Sequence, residues 1–241
     1  MHTIQLLRGP AAGNKPTALA AVEAIGQRVS DGREPETLRI YRPAPTVCFA
    51  PRDVRATGYH AARRAARTSD FATFERRSGG HAMAVHEQTI VVDWLIPDPA
   101  PRARIHERFT EAAALLIEAL DSLGVDARLG AVAGEFCPGP YSVNARGRSK
   151  LVGLAQRLHP GAACVSAVLI AHGDERIRGV LLPVYRALAL PWNPETVGSV
   201  AAEVSSVTVD QTEEAIVAAF ARQHRLIPAS LDADAPGSRR S

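Results

Sequence analysis

The chain of 241 residues, 46% apolar and 22% charged, carries enough apolar material for one sizeable core and has the composition of an ordinary globular protein. Aromatic residues at 5% leave few stacking platforms, and a net charge of +3 is too small to imply nucleic acid, though it suits an acidic protein partner. No apolar run reaches the ~18 residues of a membrane span, and Met1-His2-Thr3-Ile4-Gln5 lacks the basic and apolar regions of a signal peptide, which predicts a cytoplasmic protein.

Thr3 to Leu7 reads as a short strand. Pro16 to Val29 reads as a helix, with Leu19, Val22, Ile25 and Val29 at helical spacing and Gly32 beyond its end. Thr37 to Tyr41 and Thr46 to Ala50 are β-branched or aromatic runs punctuated by prolines, hence strands. An Ala/Arg-rich helix over Arg55 to Thr68 precedes a strand from Phe71 to Arg77, which Ser78-Gly79-Gly80 breaks. His81 to Val85 and Thr89 to Ile96 then read as two strands.

Arg104 to Leu123 has the strongest helical stripe, formed by Ile105, Phe109, Ala113, Leu116, Ile117 and Leu120, with Gly124 as its stop. Tyr141 to Ala145, Leu151 to Arg157 and Ala163 to Ala171 form a strand meander. A helix over Glu175 to Leu190 is expected to kink or split at Pro183. The last helix spans Thr212 to His224, with Val209-Asp210 as its cap region. Strands in antiparallel groups, separated by helices that do not alternate with them one for one, predict an α+β fold: a single domain over residues 1–227 with a mainly antiparallel central sheet flanked by helices. The small polar residues 228–241 are expected to be a disordered tail.

Three segments carry residue types suited to chemistry. In Arg76-Arg77-Ser78-Gly79-Gly80-His81 two glycines leave a strand beside two arginines, so main-chain amides and positive charge converge where a phosphate or carboxylate could bind; a Gly-Gly hairpin on an exposed edge reads the same way. The spacing matches neither a Walker A loop nor a dinucleotide fingerprint. In Glu135-Phe136-Cys137-Pro138-Gly139-Pro140-Tyr141 a thiol lies among residues that cannot form a regular ladder, hence on a loop where it is reachable, whereas Cys48 and Cys164 sit in apolar runs as core thiols. Three cysteines exclude a closed disulfide framework and a four-cysteine zinc site.

The third segment is Arg146-Gly147-Arg148-Ser149-Lys150-Leu151-Val152-Gly153-Leu154-Ala155-Gln156-Arg157. Only Lys15 and Lys150 among the 28 basic residues are lysine, so a lysine within this motif-like stretch is either chance or a site that needs a compact ammonium. Strict alternation points Lys150, Val152, Leu154 and Gln156 to one face, and Gly153 marks a close approach.

In this order and spacing, from about Thr37 to Ser199, the segments resemble the lipoate/biotin protein ligase and lipoyl or octanoyl transferase family. Phe136-Cys137-Pro138-Gly139-x-Tyr141 is similar to the signature of its cysteine-dependent octanoyl amidotransferases. The resemblance implies a ligase-like catalytic domain in which Cys137 forms an acyl thioester that an acceptor lysine resolves, and in which Lys150 holds the acyl carbonyl and favours the thiolate. It places the acyl and loop-binding residues at Arg77, Ser78, Gly79, Gly80, His81, Met83, Val152 and Gly153, with no metal. It implies partners that carry lipoyl domains, namely the glycine cleavage H protein and the acyltransferase subunits of 2-oxoacid dehydrogenases, with neither nucleic acid nor membrane. The pattern departs at Ser142, where an acidic residue is expected, and at His81, where a small or apolar one is usual. An ATP-dependent ligase forming lipoyl-adenylate with magnesium, or a non-catalytic binding paralogue, are the alternatives; the transferase itself needs no cofactor.

Overall fold

The structure, a computed structural model, describes residues 2–9 and 17–229. Its strands are β1 (His2–Arg8), β2 (Thr37–Tyr41), β3 (Thr46–Phe49), β4 (Ala72–Glu75), β5 (Met83–Val85), β6 (Thr89–Pro97), β7 (Ala127–Leu129), β8 (Val143–Ala145), β9 (Ser149–His159), β10 (Ala162–Ile170) and β11 (His224–Ala229). The α-helices are α1 (Thr17–Ser30), α2 (Pro51–Val54), α3 (Tyr59–Thr68), α4 (Ile105–Ser122), α5 (Asp174–Ala187), α6 (Val200–Glu203) and α7 (Val209–Gln223).

Among the described residues, eight strands form one mixed sheet in the order β11-β1-β2-β6-β10-β9-β8-β7, and β4-β3-β5 form a small second sheet. The pairings of β2 through β7 within the large sheet are antiparallel, whereas β1 pairs in parallel with both β2 and β11. The α+β expectation holds, with a parallel edge added. That edge also corrects the tail: Pro228 and Ala229 pair with Leu6 and Leu7, and the rest of the expected tail lies outside the described residues.

β6 is central and buried along all but its last residue. Its alternating side chains therefore serve two different cores. Ile90, Val92, Trp94 and Ile96 pack with Leu116 of α4 and Phe220 of α7, while Val91 and Asp93 face the opposite side, where α1 and the small sheet enclose a cavity. Arg108 of α4 is buried and donates to Gln156 Oε1 of β9 from Nε (3.0 Å) and Nη2 (2.8 Å) and to Asp98 at 2.5 Å, which fixes α4 across β9.

Several boundaries moved for identifiable reasons. α5 continues through Pro183 without a break, because the carbonyl that loses its donor belongs to Gly179, on the solvent side of the helix. α7 starts earlier than Thr212, since Thr208 is its cap: its hydroxyl accepts from Gln211 N and Gln211 Oε1 accepts from Thr208 N, a reciprocal capping box. β5 begins at Met83 rather than His81, because Arg76 claims the His81 carbonyl (2.9 Å) as part of a loop.

Candidate active site

Two loops meet at one sulfur. The main-chain N–H of His81 lies 3.2 Å from Cys137 Sγ, and Arg76 Nη2 lies 3.6 Å from it. Arg76 also fastens its own loop, donating from Nη1 to Ser78 Oγ at 2.7 Å and from Nη2 to the His81 carbonyl at 2.9 Å. Both groups aimed at the sulfur are donors, the arrangement that suits an anionic sulfur. Gly80 is required by this meeting. Its φ is +98°, and a Cβ there would stand 2.7 Å from Cys137 Sγ and 2.8 Å from Arg76 Nη2.

Cys137 itself has φ of 42°, the left-handed region that a non-glycine residue occupies only when its surroundings hold it there. Tyr185 of α5 is one such hold: its oxygen accepts the Cys137 N–H at 2.8 Å while its hydroxyl donates to the Ala82 carbonyl at 2.9 Å, linking the two loops. Burial pushes the Tyr185 phenol well above its usual range, with Cys137 adding to the shift, so it stays a neutral donor.

Lys150 is the other hold. Its side chain is 2% exposed, and Nζ donates to Glu135 Oε1 (2.8 Å), the Phe136 carbonyl (3.1 Å) and the Cys137 carbonyl (2.8 Å). All three N–H groups of the ammonium are thereby used. Glu135 is satisfied in turn, taking Ser142 Oγ at 2.6 Å on Oε1 and Val132 N at 2.8 Å on Oε2. Ser142 thus supports a buried carboxylate beside the thiol loop, where the resemblance leads to the expectation of an acidic residue at position 142 itself. The expected service of Lys150 to the sulfur is corrected: in this geometry its N–H groups go to Glu135 and to two main-chain carbonyls of the thiol loop.

The phase of β9 explains a second correction. Val143 pairs with Val152 and Asn144 with Lys150, so Leu151 is an extra residue in a bulge. One inserted residue reverses the alternation. Lys150 and Gly153 come to one face, where a Cβ on Gly153 would lie 3.4 Å from Lys150 Cε, and Val152 turns fully into the core of α4 and α7. Val152 is therefore no part of the lining, contrary to strict alternation.

The cavity that Cys137 lines has a volume of about 590 Å³. It brings together Cys137, Lys150, Arg77, Ser78, Gly79, Gly80, Met83 and Gly153 from the expected set. His81 does not line it. Its ring turns instead to Asp53 of α2, with Nδ1 3.0 Å from Oδ1. The lining also includes the apolar Val91, Phe74 and Val168 and the polar pair Asp93 and Ser166. Ser166 Oγ donates to Asp93 at 2.6 Å, and burial pushes the Asp93 carboxyl up while Arg39 pulls it down. No group of three or more His, Cys, Asp or Glu side chains among the described residues could hold a metal ion, and no helix among them is long and apolar enough to cross a membrane.

Glu135, Tyr185 and Asp53 are not singled out by sequence, and Arg76 reads there only as a source of positive charge beside the glycines. A signal existed for Glu135 only: a buried lysine needs a counter-charge, and Glu135 is the acidic residue of the Cys137 segment.

The sequence model of the lipoyl protein ligase A/B catalytic domain matches residues 14–221. The chain belongs to that family. Relatives of this lipoyl ligase A/B member include the octanoyl-[GcvH]:protein N-octanoyltransferase of Geobacillus kaustophilus, 24% identical over 165 residues, or 68% of this chain and 58% of the relative. The protein of the same name from Anoxybacillus flavithermus is 24% identical over 63% of this chain and 54% of its own length. The chain thus spans little more than half the length of these relatives. Among solved structures, a lipoate-protein ligase A bound with ATP superposes with a TM-score of 0.74 at 19% identity, over 96% of this chain and 90% of that one. The bipartite lipoate protein ligase of Thermoplasma acidophilum, described with its E2 lipoyl domain, gives 0.70 at 20% identity over 96% and 88%. At these identities the likeness is one of fold.

Proposed function

We propose that the protein is an acyltransferase that moves an octanoyl or lipoyl group onto the lysine of a lipoyl domain through a thioester on Cys137. The observation that carries this reading is the Cys137 thiol in the cavity lining, facing the His81 N–H and the Arg76 guanidinium. Cys137 sulfur attacks the acyl carbonyl of an octanoylated lysine, the C–N bond breaks, and the donor amine leaves with a proton. An acceptor lysine then displaces the sulfur. One amide is exchanged for another, so neither nucleotide nor metal enters. The apolar walls at Val91, Phe74 and Val168 suit the hydrocarbon chain. Lys150 serves the reaction by fixing the carbonyls of Phe136 and Cys137, which positions the sulfur. The names of the relatives support an octanoylated H protein of the glycine cleavage system as donor, with acyltransferase subunits of 2-oxoacid dehydrogenases as acceptors.

The test is mass spectrometry after incubation with an octanoylated lipoyl domain. One added octanoyl group, lost in Cys137→Ser and kept in Cys48→Ser and Cys164→Ser, is the expected result. Adenylate formation from ATP and free octanoate or lipoate without a covalent adduct would replace the transferase by a ligase, and binding with neither product would leave an acyl-domain-binding protein.

A further inference from the structure

We propose that the His81 ring is the base of the second half-reaction, taking a proton from the ammonium of the incoming acceptor lysine at Nε2. The proposal rests on the thioester reading above. An acceptor lysine arrives protonated and cannot attack until it gives up a proton, so a base is required beside the sulfur.

Around the Cys137 loop, Glu135 is buried with its oxygens already accepting from Lys150, Ser142 and Val132, His106 is engaged with the hydroxyl of Tyr141 at 2.7 Å, and three further titratable groups are unfit for that task. Arg76 cannot be deprotonated. Lys150 has every N–H committed to Glu135 and two carbonyls. Tyr185 is a buried neutral phenol already engaged with Ala82 and the Cys137 N–H. His81 remains, and it is built as a base. Its Nδ1 lies 3.0 Å from Oδ1 of Asp53, whose side chain is 1% exposed, while the imidazole is 24% exposed. The other Asp53 oxygen accepts the Ala50 N–H at 2.9 Å, so the carboxylate cannot turn away. A carboxylate only accepts, which puts the Nδ1 proton on the histidine and leaves the lone pair on Nε2. The neighbour of Nε2 is Arg52 Nη1 at 3.4 Å, on an exposed side chain. The main-chain N–H of His81 lies 3.2 Å from the sulfur, so the ring, although it turns to Asp53 and lies outside the cavity lining, belongs to the residue that meets the thioester.

The step balances. The acceptor ammonium passes one proton to Nε2, and the nitrogen lone pair forms the C–N bond. The C–S electron pair returns to sulfur, which takes the second nitrogen proton to become the thiol, and the imidazolium releases its proton to water.

The experiment loads wild type, His81→Gln and His81→Ala with octanoyl and follows each half-reaction by single-turnover mass spectrometry. Both substitutions keep the main-chain N–H at the sulfur, and His81→Gln can still donate to Asp53. The acceptor step is expected to slow about 100-fold or more, the loading step less than tenfold, and Asp53→Asn to fall between wild type and His81→Gln in the acceptor step. The low-pH limb of the acceptor rate should vanish in the His81 variants; the charged or titratable groups around the ring that the profile must account for are Asp53, Arg52, Arg76 and Cys137. Trifluoroethylamine, an amine already neutral near pH 7, should deacylate His81→Gln almost as fast as wild type. An acceptor rate in His81→Gln within twofold of wild type, an equal loss in both half-reactions, or an equal loss toward trifluoroethylamine would overturn the assignment. A wild type that forms no thioester overturns the transferase reading and the base together.

Discussion

The Lys150 ammonium lies 2.8 Å from the main-chain carbonyl of Cys137. The one described lysine in an arginine-rich chain is therefore spent on backbone, and the strained φ of 42° at Cys137 is what it helps to maintain.

Replacing that lysine tests the relationship. Lys150→Met leaves Glu135 buried without its cation and should cost about 3–5 kcal/mol in a urea melt. Adding Glu135→Gln should recover much of the stability and none of the transfer activity. Lys150→Arg should also lose activity, by about 100-fold or more, because a planar guanidinium cannot direct donors at a carboxylate and two carbonyls in the same compact space. Full activity in Lys150→Arg would remove the positioning role.

Thiol labelling should be selective. Burial pushes the Cys48 thiol up to about 12 and Cys164 higher still; all three cysteines line the cavity, but Cys48 and Cys164 are buried whereas Cys137 is only partly so. Limited iodoacetamide on the folded protein at neutral pH should give one adduct, on Cys137, by peptide mapping. Equal labelling of Cys48 would contradict the geometry.

The two glycines of the loop should differ. Gly80→Ala places a methyl against Cys137 Sγ at a φ of +98°, and should lower stability by about 1–3 kcal/mol and suppress thioester formation. A methyl on Gly79 would meet open space, and the φ there is one that any residue can adopt, so Gly79→Ala should cost far less. Thermal melts with adduct yields compare the pair directly.

Acid should weaken the fold partly through His86. Burial lowers its pKa from 6.5, and its Nε2 lies 3.2 Å from the Gly173 carbonyl, with Nδ1 accepting the Gln88 N–H at 3.1 Å. The unfolded chain takes up this proton near the ordinary value while the folded chain resists it, so the unfolded state binds more protons and stability falls as pH drops from about 7 toward 5. Burial shifts His159 with the same sign. His86→Gln should flatten the fall in denaturant midpoint over that range; an unchanged slope would exclude His86 as a contributor.

Local chemistry made much of the molecule legible in one dimension. The α4 stripe, the glycine break after β4, the meander from β8 to β10 and the position of Cys137 among ladder-breaking residues all follow from spacing and side-chain type, because each depends on neighbours a few residues away. The family resemblance rested on the same short segments. What those segments do to one another was not local. A single extra residue at Leu151 reversed the faces of β9, taking Val152 out of the cavity and setting Gly153 beneath Lys150. The parallel pairing of β11 with β1 joins the two ends of the described chain, which no periodicity encodes. Above all, the sequence picked out a loop thiol and a rare lysine, while only the tertiary structure decided that the lysine holds the loop, that Arg76 and the His81 amide face the sulfur, and that the His81 ring meets Asp53. Those partners come from separate strands, helices and loops, and hydrogen bonds between distant segments exist only once the chain has packed.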